Sequence, residues 1–380
     1  MFFYSYHLPF CQMRVGIDAS TIGIGGGLHH LIELLSVANP TQVGVNSIII
    51  WGNHRVVNSL PNKPWLLKIP VKALNHSLFH KYWWRYWHLP SIAHSQCDIL
   101  FSPTAGLSRF HPYVSMCQNQ LVFDTTERKR YGFSWSRLRI ELLTFLQKKS
   151  FRWAEGVIFL TEFSKQSAGK LQGVTQVIPH GINSIFLHKP INQEVVNFKI
   201  LYPSSIDLYK YQWNVAKAVL NLKTKGFNIT LELVGAVLNQ KALQLIKPFL
   251  SSVPETIHYR GEVGFEEMQQ YYQDSDIVVF ASSCETFGMI LLEAMAMGKP
   301  IACSDRSSMP ETLGEAGVYF DPSDVTSIEN ALELLLTNPA LREKIADLAH
   351  QKALTYSWER CANQTFQFLA DVYQHYKQKN

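Results

Sequence analysis

Glu285 and Glu293, eight positions apart, are the two carboxylates of this sequence with the clearest chemical use. They lie in the segment from Asp276 to Pro300, where an apolar run ending near Ala281 reads as a strand and a tight loop carries Glu285. A helix then starts near Gly288 and ends at Gly298, ahead of Pro300. The first-turn N–H groups of about residues 287 to 290 (Phe287, Gly288, Met289, Ile290) have no helical acceptor, and with the positive end of the helix dipole they favour a phosphate. Glu293, a little over one turn inside the helix, can accept two hydrogen bonds from a ribose diol, while Glu285 can reach sugar hydroxyls from the loop. Both suit a nucleotide sugar. The same spacing also fits a solvated loop glutamate followed by one that merely complements the dipole. Lys210 follows the strand end at Tyr202-Pro-Ser-Ser, where a leaving diphosphate would need a fixed cation. A plain surface lysine fits there as well.

A second constellation opens the chain. Met13 to Ser20 alternates like a strand and runs into Gly23-Ile-Gly-Gly-Gly27, after which Leu28, Leu31, Ile32, Leu34 and Leu35 recur at helical spacing. A dinucleotide fingerprint would need glycine at Leu28 and an acidic residue closing the next strand, which ends Ile50-Trp51, so a nicotinamide cofactor is disfavoured. Gly26 and Gly27 suit a close backbone approach to a donor phosphate or an acceptor, or a plain flexible turn. Gln118 and Asn119 follow a strand at 113–117 and can hydrogen-bond, but neither is an acid or base near neutral pH. His180, in Ile-Pro-His-Gly, lies at the junction of the chain halves and reads equally as an interdomain residue or a ligand contact. Asp274-Ser-Asp276 spells the D-x-D of metal-dependent sugar transfer, yet it opens an apolar strand.

Between Asn75 and Pro90 six aromatic rings alternate with cations. Such a mixture suits a membrane interface, with Lys81 and Arg85 near anionic headgroups and Trp83, Trp84 and Trp87 at the boundary. It also suits a helix buried against a sheet, because Leu78, Tyr82, Arg85, Tyr86 and Leu89 follow helical spacing.

These residues need two α/β frames to hold them. Candidate strands at 45–51, 97–102, 113–117 and 156–160 alternate with helical segments, of which Arg137 to Arg152 is the most amphipathic. The pattern restarts at Phe198, with buried strands expected at 199–203, 230–235, 256–259, 276–281, 300–303 and 317–320. Two Rossmann-like, doubly wound parallel-sheet domains follow, facing a central cleft where such folds bind ligands. The expected division is an extension over 1–12 that precedes a start at Met13, an N-terminal acceptor-binding domain over 13–187, a C-terminal nucleotide-sugar-binding domain over 188–358, and a C-terminal helix over 359–380 that returns to the N-terminal domain. The segment 186–197, with Pro190 and little periodicity, reads as the linker.

Composition agrees with an ordinary globular protein: 380 residues, 47% hydrophobic and 17% charged. No apolar run approaches the roughly 18 residues that span a bilayer. Six scattered cysteines without a C-x-x-C pair argue against a zinc ribbon or a disulfide framework and fit a reducing cytosol. The net charge of +5 is uneven: residues 1–190 hold 19 Lys and Arg against 8 Asp and Glu, and residues 191–380 hold 16 against 22. A basic first half suits phosphate or anionic lipid, and no nucleic-acid motif accompanies it.

The stretch Glu-Thr-Phe-Gly-Met-Ile-Leu-Leu-Glu over 285–293, followed by Ala-Met-Ala-Met-Gly-Lys-Pro, resembles the E-x7-E signature of the retaining glycosyltransferases of family 4, which have the GT-B fold. The resemblance extends to the Gly25–Gly27 loop with His29, to 177–181, Lys210, Val234-Gly235, 261–263, 304–311 and Trp358-Glu359. It implies that Glu293 holds the donor ribose, that Phe287 to Ile290 bind diphosphate and sugar through backbone amides, that Glu285 contacts the donor sugar, and that Lys210 neutralises phosphate. His29, Asn119 and His180 become acceptor or interdomain candidates. No metal or cofactor is expected, since the family works without one. Two departures stand out. Ser204 occupies the place of a usual arginine, leaving Lys210, helix amides or another cation such as Arg260 to neutralise phosphate; Gln118-Asn119 replaces a frequent His-Asp pair. The mechanism attributed to the family, same-face attack with the diphosphate oxygen taking the acceptor proton, demands no protein base. The expected function is sugar transfer from a nucleotide diphosphate donor to a glycan or lipid-linked acceptor in bacterial cell-surface polysaccharide synthesis, in the cytoplasm or on the inner face of its membrane. A silent nucleotide-sugar-binding subunit and a sugar-nucleotide epimerase of the same fold are the rivals.

Overall fold

The computed structural model describes residues 13–23, 25–187 and 197–379. The expected extension at 1–12 and most of the expected linker, 188–196, lie outside the described residues.

The chain forms two compact units. The first comprises the described residues through Val122, Glu141–Gly181 and Trp358 onward; the second comprises Phe123–Ile140 and Ile182–Ser357. A contiguous division at 187/188 therefore needs correction: residues 123–140 and 182–187 go with the second unit, and Trp358 already goes with the first.

In the first unit β1 (Met13–Ala19), β2 (Val45–Gly52), β3 (Leu66–Pro70), β4 (Ile99–Ser102), β5 (Tyr113–Met116), β6 (Gly156–Phe159) and β7 (Val174–Val177) form one sheet in the order β3-β2-β1-β4-β5-β6-β7. Every pairing is parallel. In the second unit β8 (Phe198–Pro203), β9 (Ile229–Val234), β10 (Ile257–Gly261), β11 (Ile277–Phe280), β12 (Ile301–Ser304) and β13 (Val318–Phe320) repeat the design in the order β10-β9-β8-β11-β12-β13, again all parallel. Strands β4, β5, β6, β11 and β12 are buried at every residue, as a parallel sheet covered on both faces requires. The edge strands β3 and β7 were not anticipated: both are half exposed, so their sequences carry no continuous apolar run.

Strand order reverses beside β1 in one sheet and beside β8 in the other. The connections on the two sides of each point leave in opposite directions, and a crevice opens beyond the carboxyl ends of the strands there. The loops after β1 and β4, and those after β8 and β11, carry the candidate residues.

The helix Trp358–Lys379 buries Cys361, Ala362, Phe366, Phe368, Leu369 and Val372 in the first unit. It lies so close to β6 that a Cβ on Gly156 would fall 2.8 Å from Val372 Cγ2, which is why glycine stands there. The helix Trp135–Trp153 behaves differently from its amphipathic expectation, because its apolar stripe faces outward: Trp135 is 86% exposed, Leu138 60%, Leu142 58% and Phe145 61%.

The aromatic stretch forms two helices, Leu78–Trp83 and Leu89–Gln96, joined by a π-helical turn at Trp84–His88. That turn drives Arg85 inward. Its guanidinium Nε lies 2.6 Å from Asp18 Oδ2 with both side chains 1% exposed, a charge contact rather than an aligned hydrogen bond. Arg85 also donates to Ser102 Oγ and, at 3.1 Å, to the Thr104 carbonyl. Gly106 makes room for it: a Cβ there would sit 1.9 Å from Arg85 Nη1. Arg85 is therefore no headgroup contact, and Trp84 is buried, whereas Phe79, Trp83 and Trp87 remain exposed.

Candidate functional site

In the second unit β8 ends at Pro203, and the chain closes a short 3-10 turn, Leu208–Lys210, whose first amide is capped by Asp207 Oδ1 at 2.7 Å. The turn buries Lys210 and sends its ammonium to Glu285 Oε1, an ion pair whose side chains are 6% and 19% exposed. The ammonium also rests 5.0 Å from the ring centres of Tyr209 and Phe280. Tyr202 ties the two strand ends together, its hydroxyl donating to the Lys210 carbonyl and accepting from Ala281 N–H at 3.2 Å.

The loop after β11 is held from three sides. Ser282 Oγ donates to Glu285 Oε1 at 2.8 Å, and Glu285 N–H donates to Ser307 Oγ at 3.0 Å. The Glu285 carbonyl accepts from Ser307 Oγ at 2.7 Å and Ser308 Oγ at 2.9 Å. With its backbone fixed, Glu285 has only its carboxylate left to present. Phe287 is positioned differently from a free loop residue: its ring is buried edge-on to Tyr356 at 5.5 Å, and its carbonyl accepts from Thr312 Oγ1 at 2.8 Å. Any ligand contact it makes comes from the backbone.

Gly288 caps the helix Met289–Ala296 with φ 85°, a left-handed conformation that an L side chain adopts only under strain. A Cβ there would also meet Met309 Cε at 2.9 Å. The half-exposed Met289 and Ile290 begin the helix, where amide groups have no carbonyl four residues back. Glu293 lies on the same helix and accepts from Tyr272 OH at 2.9 Å. Burial raises its pKa to about 7, and the Tyr272 hydrogen bond offsets part of that rise.

Neither Asp274 nor Asp276 joins this group. They stand at the amino end of β11, the far end of the strand from Glu285, where Asp276 Oδ2 accepts from Lys199 N–H at 2.8 Å and Asp274 Oδ1 from Gln270 at 2.8 Å. Arg260 is committed to Glu232 through two contacts of 2.6 and 3.0 Å, in a separate pocket of about 370 Å³ lined also by Lys199, Tyr271 and Asp274. It does not supply the missing cation beside Lys210.

In the first unit a cavity of about 220 Å³ opens at the carboxyl ends of β1, β4 and β5, lined by Thr21, Gly23, Gly27, Thr104, Gln118 and Asn119 among others. Gly27 is tight, since a Cβ would approach Gln118 Oε1 to 3.3 Å; Gly26 faces open space. Asn119 spends its side-chain carbonyl on Leu121 N–H at 3.1 Å. Arg85, through Thr104, braces the opposite wall. Sequence reading missed that role, although Asp18, charged within the apolar end of β1 and well past Arg14, was a signal for a buried partner.

His180 stands one residue before the end of its segment of the first unit, and its partners there are other residues of that unit. Its Nδ1 lies 3.1 Å from His30 Nδ1, and Trp358 packs against both rings at 5.7 Å (His30) and 5.4 Å (His180), all inside the first unit. His29 stands beside them, edge-on to Trp358 at 6.1 Å and 4.0 Å from Glu33 Oε1; burial lowers its pKa against the opposing pull of Glu33. His30, Trp358 and Cys361 were not singled out as site residues from the sequence, because their partners are distant along the chain.

Residues 185–352 match the sequence model of the family Glycosyl transferases group 1. Among curated proteins, the chain is 37% identical over 109 residues to O-antigen chain mannosyltransferase B of Escherichia coli, covering 29% of each chain. It is 26% identical over 152 residues to sulfoquinovosyl transferase SQD2 of Arabidopsis thaliana, covering 33% of this chain and 30% of that one. The chain thus spans under a third of the length of these two relatives. Among solved structures, sucrose-phosphate synthase from Thermosynechococcus elongatus superposes with TM-score 0.73 at 17% identity, covering 97% of this chain and 100% of that one. Anabaena HepE in complex with UDP-glucose gives 0.67 at 18% identity, covering 93% and 98%. The chain has the GT-B fold of two Rossmann-like units, and its similarity to the glycosyl transferases group 1 family lies within residues 185–352.

Proposed function

We propose that this protein is a retaining glycosyltransferase of family 4 that moves a sugar from a nucleotide diphosphate donor to a glycan or lipid-linked acceptor in bacterial cell-surface polysaccharide synthesis. One observation carries the reading: at the strand-order reversal of the second unit, the Lys210–Glu285 pair, the left-handed Gly288 and the helix bearing Glu293 gather into one site. Lys210 holds positive charge where a diphosphate leaves, and the amides of Met289 and Ile290 meet its oxygens. Glu293 accepts from the ribose hydroxyls, and Glu285, with its backbone clamped by Ser307 and Ser308, receives the sugar hydroxyls. The departing diphosphate oxygen takes the acceptor proton, so that the acceptor oxygen bonds the anomeric carbon on the face the diphosphate leaves. The likeness to an O-antigen chain mannosyltransferase supports a surface polysaccharide as product.

The acceptor is assigned to the first unit, beside Gly27 and Asn119. A lipid-linked acceptor calls for an anionic membrane surface; Arg85 is buried, and the exposed Leu142, Phe145, Lys148, Phe79, Trp83 and Trp87 support one. Among the described residues no helix is long and apolar enough to cross a membrane.

The test is a thermal-shift screen of UDP, GDP, ADP and their sugars, followed by product stereochemistry with the donor that binds. Donor turnover with retained anomeric configuration supports the reading. Binding without turnover favours a silent subunit, and an altered sugar from donor alone favours an epimerase.

A further inference from the structure

We propose that His30, His180 and Cys361 form a buried binding site for one divalent cation of the zinc class. Three stretches far apart in sequence supply the set: the helix Gly26–Val37, the turn after β7 and the helix Trp358–Lys379. A nitrogen or sulfur from each lies within 4.8 Å of the other two, and all three residues are buried. The 3.1 Å separation of His30 Nδ1 and His180 Nδ1 is close to the edge of a tetrahedron with metal–nitrogen bonds of about 2.0–2.1 Å. Both nitrogens of that edge belong to buried rings, so an ion between them would meet no competing bulk water.

The donor set selects the ion. Two imidazoles and a thiol without a carboxylate reject magnesium and calcium, which take oxygen ligands, and suit zinc, cobalt or copper. Both rings are buried, and the neutral imidazole is the form that ligates. Cys361 ligates as its thiolate, so binding forms a metal–sulfur bond, breaks the S–H bond and releases one proton to solvent. Trp358, itself buried, packs at a tilt against both histidine rings. An ion here would pin the last helix to the helix whose first turn contains Gly27, and so fix one wall of the 220 Å³ cavity.

Cobalt and zinc titrations of the chelator-treated protein test the site. The expected result is one equivalent of cobalt bound, with intense tetrahedral d–d bands and a thiolate-to-cobalt charge-transfer band, together with a higher Tm in zinc. Cys361→Ser should abolish the charge-transfer band, and His30→Gln should weaken binding by about tenfold or more. Wild-type protein that shows no such band in excess cobalt and no Tm rise in zinc overturns the site and leaves a hydrogen-bonded pair of neutral histidines. A band that persists in Cys361→Ser overturns it equally, by assigning the signal to another cysteine. Should Cys361→Ser fail to fold, His180→Gln should weaken cobalt binding by about tenfold or more, and unchanged affinity in that variant overturns the site.

Discussion

Lys210 and Glu285, 75 residues apart in sequence, meet in an ion pair that joins the loop after β8 to the loop after β11. Lys210 is buried and Glu285 only partly exposed, so each charge relies mainly on the other. Truncating one alone strands its partner: Lys210→Met should cost about 3 kcal/mol of stability by urea denaturation. Glu285→Gln keeps an acceptor for Ser282 and should fold with a smaller loss while turnover collapses. Full donor turnover in Glu285→Gln would remove that residue from the site.

Glu293 makes stability depend on pH in the direction opposite to most carboxylates. Its folded pKa, about 7, lies above its ordinary 4.5, so the folded chain holds the proton more tightly than the unfolded chain. The resulting stabilisation is complete below about pH 4.5 and is lost as pH rises towards 7, up to about 3 kcal/mol in all. Glu293→Gln should flatten this part of the profile of Tm against pH. Above pH 7, where the carboxylate is ionised, donor affinity should fall in that variant by about 1 to 3 kcal/mol in calorimetry, because the diol loses a charged acceptor.

Gly288→Ala tests the helix start. The left-handed φ of 85° and the 2.9 Å approach to Met309 both oppose a side chain, so the variant should lose about 1 to 2 kcal/mol. Donor affinity should drop beyond that of a surface Gly→Ala control at Gly264, whose φ is an ordinary −69° and where a Cβ meets open space.

Arg85→Met should destabilise the first unit by about 3 to 5 kcal/mol, since Asp18 would be left buried without its cation. The double variant Asp18→Asn, Arg85→Met should recover much of that loss in urea melts. Equal losses in single and double variants would mean that Arg85 packing, not charge, dominates.

Liposome sedimentation measures the surface assignment. Wild-type protein should pellet with anionic vesicles at low salt and release as salt rises, whereas Leu142→Glu, Phe145→Glu should stay in the supernatant. Because both side chains are more than half exposed, the double variant should keep its Tm, which separates lost binding from lost folding.

The α/β alternation and the strand–loop–helix around Glu285 were legible in the sequence because they are local. Apolar runs such as Ile277–Phe280 and Ile301–Ser304 are buried on both faces, so continuous hydrophobicity marks them, and a glycine at 288 announces the helix start within a few residues of the strand end. Periodicity also found the helix at Trp135–Trp153, but it could not tell which face water would keep. Tertiary structure alone decided the rest. β3 and β7 are strands only because a neighbouring strand supplies their hydrogen bonds, and their own residues are too exposed to carry a pattern. Arg85 reads equally as a headgroup-seeking cation or as part of a buried helix face until the fold brings Asp18, 67 residues earlier, within 2.6 Å. His30, His180 and Cys361 become neighbours only when three segments close on one another. A charge or a ligand set is defined by its partners, and partners separated by many tens of residues are chosen by the packing of the whole unit, not by spacing along the chain.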